Sequence, residues 1–127
     1  MTPHGMVHWT ELQTHDAGKA KSFYGHTLGW TFDAMPMPDG TQYHLCMSGD
    51  EMAGGMFTMT DPQFKDVPEH WMTYFSVDDV DARLITAKEA GATVLREPFD
   101  VPGVGRIAIL QAPGGAAMGW MTPAEPA

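Results

Sequence analysis

Apolar and polar positions alternate from Val7 to Thr14, which predicts a strand with Trp9, Glu11 and Gln13 on one face and Thr10, Leu12 and Thr14 on the other. Asp16 follows as an N-cap. The stretch 17–28 then carries Ala20, Phe23, Tyr24 and Leu28 at helical spacing before Gly29 stops it. Trp30 to Met35 is extended, Pro36-Met37-Pro38-Asp39-Gly40 reads as a turn, and Thr41 to Ser48 as a strand. Gly49-Asp50 turns the chain into a Gly-containing strand from Met52 to Met59. The first half therefore predicts strand, helix and three strands.

The second half repeats this order. Trp71 to Val77 is a strand, Asp78-Asp79 caps a helix from Val80 to Ala90, and Gly91 ends it. The helix carries Val80, Leu84, Ala87 and Lys88 in its pattern, with Ile85 beside them, which offers one apolar side. Ala92 to Arg96 is extended, Pro98 to Gly105 reads as a long turn, Arg106 to Gln111 is a strand, and Ala116 to Thr122 closes the chain after Pro113-Gly114-Gly115. A gapless shift of 62 positions superposes Trp9 on Trp71, Asp16 on Asp78, Gly29 on Gly91, Pro36 on Pro98 and Met56 on Met118, so caps, stops and turns coincide. The expected fold class is α+β, one domain over residues 1–127. It comprises a βαβββ module at 6–60, a linker at 61–70 and a second module at 71–122. Two curved sheets, each covered by a helix on one face, can pair their open faces into an incomplete barrel around a central cup. Such cups are frequent small-molecule sites.

Composition narrows the function classes. Seven Lys and Arg against 16 Asp and Glu give a formal charge of −9, which disfavours nucleic acid and anionic membranes as partners. It also points, through the net charge alone, to a neutral or cationic ligand. A hydrophobic fraction of 43% fits a globular chain. The single Cys46 excludes an intrachain disulfide and a Cys-cluster zinc site. No apolar run approaches the ~20 residues of a membrane span, and the first residues lack signal-peptide character, so the expected location is cytoplasmic. Eleven methionines suit irregular cores and adaptable binding walls.

The run Trp9-Thr-Glu-Leu-Gln-Thr-His-Asp16, then Phe23-Tyr24 and Leu28-Gly29-Trp30, resembles the opening signature of the vicinal oxygen chelate superfamily. That group includes glyoxalase, bleomycin-resistance proteins and extradiol dioxygenases. Ser76-Val-Asp-Asp79, Ala90-Gly91-Ala92, the Pro98–Gly103 loop and Pro113-Gly-Gly-Ala116 extend the resemblance over roughly residues 6 to 122. It implies paired βαβββ modules, a homodimer, and a cup that in many members holds a divalent metal. The metal ligands of such members would fall on Trp9, on Met72 or Trp71, within Gly55 to Phe57, and near Gly119. None of these residues is a His, Glu or Gln, and a thioether is a poor ligand for hard cations. The expectation is therefore no metal and no cofactor.

With Trp9 aimed into the cup by the resemblance, Glu11 shares its face and becomes a candidate acid, base or hydrogen-bond anchor. Against that stands a rim carboxylate paired with Arg106 or another cation. His44 lies within a strand between Tyr43 and Leu45, either as a hydrogen-bonded partly buried residue or as a proton acceptor. Tyr74 shares a face with Met72 and Ser76, through a hydroxyl in the cup or through core packing. Trp9, Met56, Met72, Met118 and Trp120 are the expected apolar walls, and Glu11, Gln13, His44 and Tyr74 the polar anchors, although strand alternation cannot turn all of them inward. Cys46 has no flanking cation to activate it and reads as a buried small residue. Phosphate loops, serine-hydrolase elbows and calcium loops are unsupported. The expected function is small-molecule binding without metal at the usual site, by likeness to the bleomycin-resistance branch. The alternative is a glyoxalase-like lyase or isomerase, or a dioxygenase.

Overall fold

The computed structural model describes residues 2–37 and 40–124. Pro38 and Asp39 of the expected turn lie outside the described residues. The elements are β1 (Val7–Thr14), α1 (Ala17–Leu28), β2 (Thr31–Pro36), β3 (Gln42–Ser48), β4 (Glu51–Thr58), a 3-10 turn (Pro62–Phe64), β5 (His70–Ser76), α2 (Val80–Glu89), β6 (Thr93–Val101), β7 (Gly105–Gln111) and β8 (Ala117–Pro123). This is an α+β fold built from two tandem βαβββ modules. No helix among the described residues is long and apolar enough to cross a membrane.

The chain forms two compact units. One runs from Thr10 to Trp71; the other joins the residues up to Trp9 with those from Met72 onward. In the first, the strands run in the order β2-β3-β4-β1, antiparallel except for the parallel β4–β1 pair. In the second, the order is β5-β8-β7-β6, with β5 and β8 parallel. The N-terminal residues are stitched to the second unit, where Gly5 N–H donates to the Ser76 carbonyl and Ser76 N–H to the Met6 carbonyl.

Each helix starts on an aspartate. Asp16 accepts from the Lys19 amide and Asp79 from the Ala82 amide, both in extended backbone. α1 stops at Gly29, whose φ of 71° is readily adopted by glycine. Leu12, Ala20, Cys46 and Met56 form the core beneath α1. Phe23 and Leu28, expected on its apolar side, are instead more than half exposed. Beneath α2 lie Val77, Val80, Leu84, Ala87, Ala108 and Leu110, while Ile85, one residue of helical rotation away from Leu84, is exposed.

One element differs in kind from expectation. β6 does not end at Arg96 but continues through Pro98 to Val101, and only three residues turn the chain into β7. Proline removes a ladder donor, which an edge strand tolerates, and β6 is an edge strand of its unit. Register irregularities between Val94 and Arg96, and between Arg96 and Phe99, accommodate it.

Candidate functional site

Sheet pleating and register decide which side chains can meet a ligand. In the Thr10–Trp71 unit, Leu12 pairs with Met56 and Met56 with His44, so all three point to the face covered by α1. The opposite face carries Glu11 and Gln13, which pair with Gly55 and Phe57 of β4. Both are polar and both are buried, each 8% exposed. The Gln13 amide donates to a Glu11 carboxylate oxygen and orients it. Tyr43 lies on the same face, where a Cβ added at Gly55 would collide with its phenol. The absence of a side chain at Gly55 is what makes room for that ring. Farther along β4, Phe57 meets Phe64 edge-on, with ring centroids 6.0 Å apart.

In the second unit, Trp9, Met72 and Tyr74 lie on the face away from α2, packed with Ile107, Ile109 and Met121. Tyr74 is paired with Gly119, and its ring fills the space above that glycine. Ser76, on the same face, donates through Oγ to the Thr2 carbonyl at 3.1 Å.

The structure thus divides the nine expected wall and anchor residues. Glu11 and Gln13 come together in one unit, and Trp9, Met72 and Tyr74 in the other, all on helix-free faces. His44 and Met56 lie instead on the α1 side, and Met118 and Trp120 pack onto the α2 core. The expectation that these four line the same surface as Glu11 is corrected, and the cause is the two-residue period of the strand. His44 is 8% exposed; burial, and secondarily the charge of Lys21 on α1, lowers its pKa below the ordinary 6.5. Arg106 pairs with Asp81 and Asp100, so it does not serve as a partner for Glu11. Tyr43 is not among the expected site residues; the adjacent strand glycines Gly54 and Gly55 were the available signal for a close approach.

The gapless match between the modules is corrected as well. Asp16 corresponds to Asp79 as the cap, and Glu11–Gly55 to Tyr74–Gly119 as the parallel pair, so one-residue steps separate the modules at β5 and again before β8. Met72, rather than Trp71, is then the counterpart of Trp9. The positions at which the superfamily resemblance would seek metal ligands hold Trp9, Met72, Gly55 and Gly119. Two lack a side chain, and tyrosine rings occupy the space beside them. Among the described residues, no three His, Cys, Asp or Glu side chains cluster in a way that could hold a metal ion. This donor set does not fit a divalent cation.

The profile of the Glyoxalase/Bleomycin resistance protein/Dioxygenase superfamily matches residues 6–118. The chain belongs to that superfamily. "Putative glyoxylase CFP32" of Mycobacterium tuberculosis is 39% identical over 120 residues, covering 94% of this chain and 45% of the relative. "Anthracycline biosynthesis protein DnrV" of Streptomyces peucetius is 28% identical over 124 residues, covering 89% of this chain and 45% of the relative. The chain therefore spans about half the length of the curated relatives it matches. Among solved structures, protein BH1468 of Bacillus halodurans superposes with a TM-score of 0.73 at 15% identity, over 98% of this chain and 99% of that one. Methylmalonyl-CoA epimerase from Mycobacterium tuberculosis superposes with a TM-score of 0.67 at 16% identity, over 98% and 94%. At such identities the superfamily fold is what the structures share.

Proposed function

We propose that this superfamily member binds a small organic molecule on the helix-free sheet face of its Thr10–Trp71 unit, with the Glu11–Gln13 pair as the polar anchor and no metal at the usual positions. The observation that carries this reading is a carboxylate and an amide, both buried and hydrogen-bonded to each other, on a sheet face that no helix covers. A folded domain gains little stability from burying such a pair, because desolvation offsets much of the interaction. A ligand donor that reaches Glu11 would find an acceptor already oriented by Gln13. Tyr43 and Phe57, on the same face of that unit, add aromatic surface. We also propose a homodimer, the assembly that the superfamily resemblance implies.

The test is a thermal-shift screen across aromatic, cationic and anionic small molecules, followed by calorimetry on the hits. Saturable binding that weakens about tenfold or more in Glu11→Ala supports the reading. Flat responses throughout overturn it.

A second reading is favoured by the 39% identity to a relative named as a glyoxylase. In it, Glu11 takes a proton from a carbon acid next to a carbonyl, with Gln13 holding the carboxylate in place. Turnover, or solvent deuterium exchange into a bound carbonyl compound, that disappears in Glu11→Gln would establish this chemistry; its absence with every bound compound would leave binding alone.

A further inference from the structure

We infer that Arg96, seated on the ring of Phe99, is an oxyanion-recognition site on the helix-free face of the second unit. It would take the carboxylate or phosphate of a ligand whose apolar part lies on the neighbouring aromatic and aliphatic surface. The inference rests on the reading above that this superfamily member binds small organic molecules, and gives the chemical class that the face of the second unit would take.

The local geometry is specific. The guanidinium carbon stands 3.6 Å from the Phe99 ring centroid. In a regular strand, residues three apart point to opposite faces. Here the register irregularities on either side of Arg96 bring it onto the Phe99 side. Phe99 in turn pairs with Ile107 and packs against the cluster that Ile107 forms with Met72, Tyr74 and Met121, and Arg96 lies across from Ile109. The two other arginines are already committed on the opposite face: Arg83 makes a two-point contact with Asp78 at 2.8 and 2.9 Å, and Arg106 is held by Asp81 and Asp100. Glu97, the neighbour of Arg96, faces Lys88 of α2 at 4.0 Å. Arg96 itself is exposed and makes no ion pair among the described residues, in a chain whose formal charge is −9.

A guanidinium resting on an aromatic face keeps its planar fork of N–H donors turned outward and loses little freedom when it engages an oxyanion. The net acidity of the chain argues for neutral or cationic ligands at long range. At contact distance the local group decides, because exposed charges beyond about 10 Å are screened at ordinary salt.

The experiment uses three probes built on one naphthyl ring: 2-naphthoate, 2-naphthyl phosphate and the uncharged 2-naphthamide. Each is titrated into the full chain and followed by nitrogen–proton NMR, including the arginine Nε–H signals. The expected result is that at least one anion binds about tenfold or more tightly than the amide and shifts the Arg96 Nε–H signal. The preference between the two anions distinguishes a carboxylate ligand from a phosphate ligand. Arg96→Gln should abolish the preference for the anion while leaving amide binding and the backbone spectrum unchanged. Arg96→Lys should restore it only in part, because an ammonium lacks the fork. Equal affinities for anions and amide, or a preference that survives in Arg96→Gln, would overturn the assignment of Arg96 alone. Failure of all three probes to bind saturably would also overturn the assignment of Arg96, and the small-molecule reading falls only if the thermal-shift screen is flat as well.

Discussion

The ring of Tyr74 on β5 lies over the backbone of Gly119, its partner on β8, in the space where any other residue would place its first side-chain carbon. Tyr43 and Gly55 make the equivalent arrangement in the other unit. A large residue and an absent one are matched across strands, so aromatic rings fill positions where metal ligands would be sought by resemblance.

Gly119→Ala should therefore destabilise the fold by about 1–3 kcal/mol, the usual cost of forcing an extra carbon into a packed core. Gly119 has no positive φ, so the cost is steric and not a backbone effect. Gly114→Ala, where an added carbon meets nothing, is the control and should be close to neutral. Urea unfolding measures both. In a Tyr74→Leu background the penalty at residue 119 should shrink, because the two sites are in contact.

Elemental analysis after dialysis without chelator should find no stoichiometric zinc, nickel, iron or manganese. The positions concerned hold a tryptophan, a methionine and two glycines, and water can replace one ligand but not the set. Near one equivalent per chain would contradict this. Loss of that metal in Glu11→Ala or His44→Ala would then identify the donor.

His44 gives the fold a pH dependence whose sign is determined by its location. Burial and the nearby Lys21 hold its pKa below 6.5, so the folded state prefers the neutral ring more than the unfolded chain does. The stabilisation is complete above about pH 6.5 and is lost as pH falls from there through the folded pKa, because the unfolded chain binds the proton more readily. Comparing urea unfolding of the wild type and His44→Asn at pH 7.5 and 5.5 isolates this contribution. The wild type should lose more stability over that interval, and NMR titration should place the His44 midpoint below 6.5.

Cys46 is fully buried under α1, and burial pushes its thiol up to about 11. It should react slowly with a disulfide reagent at pH 8 in the native protein, and rapidly in denaturing urea. Equal rates would show that the core beneath α1 opens readily.

Much of this was legible from local pattern. Asp16, Gly29, Asp79 and Gly91 punctuate the helices because capping and left-handed turns are short-range effects, and alternation located the strands to within a few residues. The same alternation grouped Glu11 and Gln13 on one face. β6 runs past Arg96 although proline usually ends a strand; whether a proline-bearing strand sits on an edge is a property of the assembled sheet.

What the sequence by itself determined is therefore the order of elements, the repeat, the superfamily and the grouping of neighbours within each strand. Tertiary structure alone decided which face of each strand a helix would cover. That choice moved His44, Met56, Met118 and Trp120 into the helix-facing cores and left Glu11 and Gln13 on the open side. It also set Tyr74 over Gly119, Tyr43 over Gly55 and Arg96 over Phe99. The physical reason is that a two-residue period says which side chains share a face, but names neither the face nor the partner. Both depend on pairing between strands distant in sequence, and on bulges that shift that pairing by one residue.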